Sequence, residues 1–215
     1  IKIETGWYRV NFVCPYKRIF WKRYINSIYK EIFRKSIHLC TAFIPLLLNY
    51  FYMQVELLLI LAVIAFSVSE VLRLHGIEIP VVSDITKVAS RKRDEGKFVL
   101  GPVTLVFGIV ISSMLFDKAS YTIGILSLAF GDGTASLCGK LFGRLHIPGT
   151  QGKTVAGSLS CFLAIFCSSF FVCKSVFISL VIATAGMLIE VLPLKDLDNL
   201  IIPVILSMLA QFLLK

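Results

Sequence analysis

Seven blocks of apolar residues, each fifteen to twenty-one long, alternate with short polar stretches along this chain: Ile37 to Met53, Val55 to Val71, Phe98 to Phe116, Tyr121 to Leu141, Val155 to Cys173, Val176 to Val191 and Leu200 to Leu214. Each approaches the roughly 20 residues that carry a helix across a bilayer. Several are short, so tilted helices and shared polar cavities are expected. The pattern predicts an all-α fold, a polytopic membrane helix bundle of about seven transmembrane helices. The longest polar connection, from about Arg73 to Lys97, is too short to fold alone. Residues 1–36 therefore read as a basic cytoplasmic or interfacial segment and residues 37–215 as a single transmembrane domain. Neither a fixed-period repeat nor a low-complexity tract interrupts the pattern.

Composition agrees with a lipid environment. Hydrophobic residues make up 57% of the 215 and charged residues 16%, against roughly 25% charged in an average soluble domain, and the mean hydropathy is +0.83. Counting Lys and Arg between the blocks puts nineteen on one face and three on the other. By the positive-inside rule the N-terminus is cytoplasmic and the C-terminus lies across the membrane. The net charge of +9 then reflects topology and phosphate chemistry, and no nucleic-acid module or partner is indicated. No cleavable signal is recognisable ahead of residue 37, and a chain opening at Ile1 is expected to lack its true start. The six cysteines form no CxxC pair and read as small core residues rather than disulfides or zinc ligands.

With that topology, the polar motifs collect at one end of the bundle. Glu31, Arg34, Lys35 and His38 share one helix face by their spacing of three, four and seven. Arg and Lys there suit phosphate oxygens or, equally, lipid headgroups, while His38 reads as a proton shuttle or an interfacial hydrogen-bonding residue. Glu70 and Arg73 are spaced as an ion pair that lowers the cost of both charges. Within Arg91 to Gly96, Asp94 and Glu95 form an adjacent acidic pair suited to Mg²⁺ or to a solvated loop. Asp196, Asp198 and Asn199 open the last block, and capping explains one of them but not all three; with Glu190 they are able to complete a Mg²⁺ shell.

The stretch Ala129 to Ser158 concentrates the chemistry. Asp132 lies about eleven residues into the fourth block, some 16 Å along a helix and below the apolar surface. Gly131 and Gly133 flank it, so the helix is expected to loosen there. A buried carboxylate in such a place is a candidate for metal binding or proton transfer, or else a structural partner of Lys140 or Arg144. Downstream, G-T-Q-G-K-T looks like the end of a nucleotide P-loop, but the glycine required five residues before Gly152 is Ile147. Lys153 and Thr154 nevertheless sit at the N-terminus of the fifth helix, where N–H groups and dipole favour an anion, and Gly157 and Ser158 let a phosphate come close. The plainer reading is that Thr154 caps that helix and Lys153 snorkels.

Five motifs together resemble the polyprenol kinase family, which includes dolichol kinase, phytol kinase and the CTP-dependent diacylglycerol kinase of yeast type. They are R-K-x-x-H at Arg34 to His38, E-x-x-R at Glu70, G-D-G-T-A-S-L-C-G-K-L-F-G at Gly131 to Gly143, P-G-T-x-x-K-T-x-x-G-S at Pro148 to Ser158, and D-N-L-I-I-P at Asp198 to Pro203. The resemblance implies a multi-pass membrane kinase that transfers the γ-phosphate of CTP to a lipid alcohol (a polyprenol or dolichol, phytol or diacylglycerol) at a cytoplasmic-face active site. It points to Arg34, Lys35, Asp132, Gly139, Lys140, Lys153, Thr154, Gly157 and Asp198.

On this reading Asp132, Lys153, Arg34 and Lys35 are catalytic. Gly131, Gly133, Gly139, Lys140, Gly143, Arg144, Thr154, Gly157 and Ser158 hold the nucleotide, and Asp132 with Asp198 or Glu95 binds Mg²⁺. His38, Glu70, Arg73, Asp94, Glu190 and Asn199 complete the set. The membrane would be the inner membrane of a bacterium, or the endoplasmic reticulum or plastid membrane of a eukaryote. A phosphatidate cytidylyltransferase is the nearest rival, but the late segment L-K-D-L-D-N-L-I-I-P lacks the glycine run such enzymes carry. A transporter is the rival from another class, and the polar residues at one end give it no path through the other half. Neither the oligomeric state nor the alcohol is legible at this level.

Overall fold

The computed structural model describes residues 15–77, 79–80, 86, 94, 96–150 and 152–215, with side chains from residue 28 onward. Its helices are α1 (Pro15–Cys40), α2 (Ile44–Leu74), α3 (Gly101–Leu115), α4 (Lys118–Leu126), α5 (Gly133–Phe142), α6 (Val155–Cys173), α7 (Val176–Val191) and α8 (Asp198–Leu214). A 3₁₀ turn, Thr41–Phe43, joins α1 to α2, and a π-helical turn, Ser127–Asp132, joins α4 to α5. Among the described residues there is no strand, and one isolated bridge pairs His146 with Thr154.

The seven apolar blocks all fall on helices, with two departures from the expected outline. Residues 28–74 form one helical stretch of 47 residues by length and hydropathy, yet Phe51 breaks it at φ −137° and ψ 50°. A straight helix would hold Lys35 and Glu70 about 52 Å apart. Instead Lys35 reaches Asp132 and Glu70 reaches Val99, at the same end of the bundle, while Asn49 meets Lys118 and Tyr52 donates to the Ser113 carbonyl at 3.1 Å at the opposite end. The chain thus reverses at Phe51, close to the boundary expected near Gln54. The second departure is the fourth block, which is α4, the π turn and α5 in succession rather than one regular helix.

Two helical stretches, 28–74 and α6, are long and apolar enough to cross a membrane, and α3, α7 and α8 are shorter apolar helices. Large apolar side chains lie on the outside of the bundle, and small polar ones are buried inside it beside an apolar core. Phe171, Phe177 and Phe212 are more than 70% exposed, while Ser112, Ser127, Ser169, Ser179 and Ser207 are wholly buried. Small polar residues between helices and large apolar ones outside suit hydrocarbon as the surrounding medium. The five described cysteines are unpaired; Cys161 is in the core, whereas Cys40 and Cys167 are exposed and so depart from the expected core placement.

Close crossings hold α8 against α3 and α4. Pro203 lies inside α8, and a proline there cannot donate to the Asn199 carbonyl one turn back. That oxygen faces Gly108 of α3, where an added Cβ would sit 2.4 Å from it. At Gly124 of α4 a Cβ would lie 2.4 Å from the Pro203 carbonyl and 2.1 Å from the Ser207 hydroxyl. Gly124→Ala is therefore expected to destabilise the bundle by about 1–3 kcal/mol through overpacking. A thermal unfolding scan in detergent checks this, and an unchanged midpoint would show that the crossing has slack.

Candidate active site

At the end of the bundle where α5 and α7 finish and α6 and α8 begin, the helices splay around a cavity of 440 Å³, within the roughly 300–1,000 Å³ of ordinary small-molecule sites. Asp132 is the last residue of the π turn and is 8% exposed. The wider π turn, a feature often found at functional sites, brings its carboxylate inward. Its partner is Lys35 of α1, ninety-seven residues away and 2% exposed, rather than Lys140 or Arg144. His38, one turn further along α1, places Nδ1 3.4 Å from the same carboxylate oxygen. Thr134 donates to the Phe130 carbonyl at 2.7 Å, bonding an oxygen of the irregular turn.

Above this pair a second ionic group joins α1 to α5. Glu31 accepts from Arg34 at 2.5 Å and from Lys140 at 2.8 Å, and the Ser136 hydroxyl bonds to it as well. A third spans α6 and α7: Lys153 Nζ is 2.9 Å from Glu190, whose other oxygen accepts from Ser158 at 3.5 Å. The glycine-rich connection ahead of α6 folds as a small hairpin. Ile147 N–H donates to the Lys153 carbonyl at 2.9 Å and Val155 N–H to that of Leu145 at 3.0 Å. Gly149 and Gly152 take φ of 80° and 93° in its turn, a region that other residues adopt only with strain. This hairpin holds Lys153 at the rim.

Thr154 caps α6 by accepting from Gly157 N–H at 3.2 Å. Around it α5 and α6 approach closely, because a Cβ at Gly139 would meet the Thr154 hydroxyl at 3.0 Å and one at Gly157 would meet the Ala135 carbonyl at 2.8 Å. These glycines serve the crossing and also form part of the cavity wall.

Lys35, Asp132, Gly139, Lys140, Gly143, Lys153, Thr154, Gly157, Ser158, Glu190 and Asp198 all line the one cavity. Arg34 and His38 stand behind it through Glu31 and Asp132. The remaining residues lie elsewhere. Gly131 packs on Ile165 and Cys161, and Gly133 faces Leu39. Arg144 is exposed beside the cavity wall. Glu70 accepts from Arg73 at 2.7 Å and from Val99 N–H at 2.9 Å, fastening α2 to the entrance of α3. Asn199 donates to the Gly101 carbonyl at 3.2 Å, joining α8 to α3. Asp94 is described but is not part of the cavity wall, and Glu95 and Arg91 lie outside the described residues.

Several residues of the site carry no sequence signal of their own. His146, Thr150 and Lys195 line the cavity, and Lys195 has a left-handed φ of 59°, a strained conformation for a non-glycine residue. Glu56, which no motif marks, is buried at the opposite end of the bundle and bonded by Ser113. The cavity thus sets four ammonium groups, Lys35, Lys140, Lys153 and Lys195, beside Asp132, Glu190 and Asp198 at the N-terminus of α6. Such a set suits a polyanion together with a group that accepts a proton. Among the described residues no three His, Cys, Asp or Glu side chains converge as a metal-binding group.

No family model matches the chain, and no solved structure matches it. Among curated proteins it is similar to a probable phytol kinase 1, chloroplastic, of Oryza sativa subsp. japonica, 28% identical over 159 residues that cover 65% of this chain and 50% of that one. It is similar to a farnesol kinase, chloroplastic, of Arabidopsis thaliana, 31% identical over 144 residues covering 60% and 47%. A CTP-dependent diacylglycerol kinase 1 of Eremothecium gossypii is 27% identical over 147 residues covering 66% and 46%. The chain spans about half the length of these relatives. All three are lipid kinases of the family that the motifs resemble.

Proposed function

We propose that the protein is a CTP-dependent lipid-alcohol kinase that transfers a phosphoryl group to the hydroxyl of a membrane alcohol. The observation that carries the reading is the buried Lys35–Asp132–His38 group at one edge of a cavity whose wall also bears Lys140, Lys153 and the start of α6. The similarity to lipid kinases, one of them named for CTP, supports the same conclusion.

Phosphoryl transfer asks mainly for positioning and for charge aimed at the transferring group. Lys140 and Lys153, both on the cavity wall, neutralise the triphosphate, aided by the positive end of the α6 dipole. Asp132 accepts the proton of the alcohol hydroxyl, held in place by Lys35 and His38. Asp132 and Asp198 both line the cavity, and Mg²⁺ is usually bound by one or two carboxylates together with substrate phosphates. Asp132 and Asp198 would hold it, and it would supply further neutralisation of the phosphates.

The apolar outer surface and the nineteen-to-three split of basic residues support a bundle of seven membrane-spanning segments with the cavity on the cytoplasmic side. A hydroxyl at the end of a bilayer-embedded tail then meets a water-soluble nucleotide at the membrane surface. Purified protein in liposomes, given a panel of lipid alcohols and phosphatidate with Mg²⁺ and CTP labelled either on the γ-phosphate or on cytidine, is expected to transfer γ-label alone. Cytidine label in the lipid would make the protein a cytidylyltransferase, and no labelled alcohol at all would end the kinase reading.

A further inference from the structure

A second cavity, of 820 Å³, runs down the outside of the bundle between the start of α2, the length of α4 and the second half of α6. Its lining is almost wholly apolar, and two features distinguish it from a plain lipid-facing surface. Its inner end lies against the reaction centre. Leu39, at that end, follows His38, which faces Asp132, and its side chain comes within 3.4 Å of where a Cβ at Gly133 would stand. Phe130, also at that end, lies in the π turn two residues before Asp132. The outer end carries polar groups, the paired and exposed side chains of Asn49 and Lys118.

Ten residues separate Leu39 from Asn49, which at about 1.5 Å each makes a groove of about 15 Å, half of a hydrocarbon core of about 30 Å. We propose that this groove holds the tail of the acceptor alcohol, a single extended hydrocarbon chain, with the hydroxyl at Asp132 and the Asn49–Lys118 pair acting as the stop that limits tail length. The proposal rests on the kinase reading for its catalytic test, and on binding alone for a second.

The geometry makes the groove a ruler whose length is adjustable. Thr122 and Leu126 line it at successive turns of α4 above Lys118. Thr122→Trp fills its outer third, and Leu126→Trp fills it further towards Phe130. Thr122→Trp is expected to lower kcat/KM for farnesol, whose extended chain spans the groove, at least about tenfold while leaving geraniol within about twofold, since pocket contacts discriminate chains by such factors. Leu126→Trp is expected to lower geraniol as well. A parallel loss for both alcohols in Thr122→Trp, or no dependence on length, would overturn the assignment.

The second test needs no turnover. A long-chain alcohol bearing a diazirine at its tail tip is photolysed with the wild-type protein in liposomes, and the labelled peptides are mapped. Label concentrated around Asn49 and Thr122, and lost in Thr122→Trp, supports the groove. Label spread evenly over the outer helices counts against it. Groove labelling by an alcohol that the protein never phosphorylates would leave the tail site standing and remove the kinase reading.

Discussion

Asp132→Asn is expected to lower the rate of alcohol phosphorylation by about a thousandfold, in the middle of the range that a positioned general base contributes. The amide is nearly the same size as the carboxylate but has no negative charge and cannot take the hydroxyl proton. A complication follows from burial. Lys35 is 2% exposed and bonds to this carboxylate, so the single substitution leaves an ammonium buried without its counter-charge. Removing one partner of a buried ion pair costs about 3–5 kcal/mol, which is enough to confuse lost chemistry with lost folding. The double variant Lys35→Met, Asp132→Asn separates them, because an unbranched apolar chain restores packing without charge. It is expected to recover the thermal midpoint of the wild type and to stay inactive. Initial rates with γ-labelled CTP, measured beside thermal scans of all three proteins, decide the matter. Substantial activity in a folded Asp132→Asn protein would exclude Asp132 as the base.

The elements that could be read along the chain are those set by local signals. Blocks five and six match α6 and α7 residue for residue, because Thr154 and Ser175 cap them with hydroxyls that accept from Gly157 and Ile178. The reversal at Phe51 has no such signal. Neither Gly nor Pro stands there, and the two legs are separated by what they dock against, Lys118 for Asn49 and Ser113 for Tyr52 and Glu56. The loosening of the helix beside Gly131 was legible from composition, but its form, a π turn that aims Asp132 at Lys35, depends on packing across ninety-seven residues. The same limit applies to the site. Glycine, lysine and aspartate could be seen to cluster, whereas the division of Lys35, Lys140 and Lys153 among Asp132, Glu31 and Glu190 comes from the meeting of α1, α5, α6 and α7. Lys195 reaches the cavity wall through a left-handed backbone that no pattern announces.

Lys153→Met is the second large effect, and its kinetic form tests what the hairpin is for. Lys153 stands at the base of a turn fixed by two backbone hydrogen bonds and two glycines of positive φ, so its ammonium is presented at the cavity rim with little freedom left in the chain that carries it. A cation placed in advance against charge that develops on the transferring phosphoryl group contributes about a hundredfold to a thousandfold in kcat. A cation that only helps hold the triphosphate would raise KM and leave kcat alone. The rigid presentation favours the first, so Lys153→Met is expected to lower kcat about a hundredfold or more with a smaller change in KM for CTP. Glu190→Gln is the companion variant. It removes the 2.9 Å partner of Lys153 while leaving the ammonium in place, and it is expected to keep activity within about tenfold, because neither the cation nor the hairpin is lost. CTP-dependent thermal stabilisation provides the binding readout, since a ligand that binds the folded state raises its midpoint whether or not turnover occurs. A Lys153→Met protein that binds CTP as the wild type does but turns over slowly assigns Lys153 to the transition state. One that turns over normally once saturated with CTP makes it a ground-state anchor and moves the main neutralising role to Lys140.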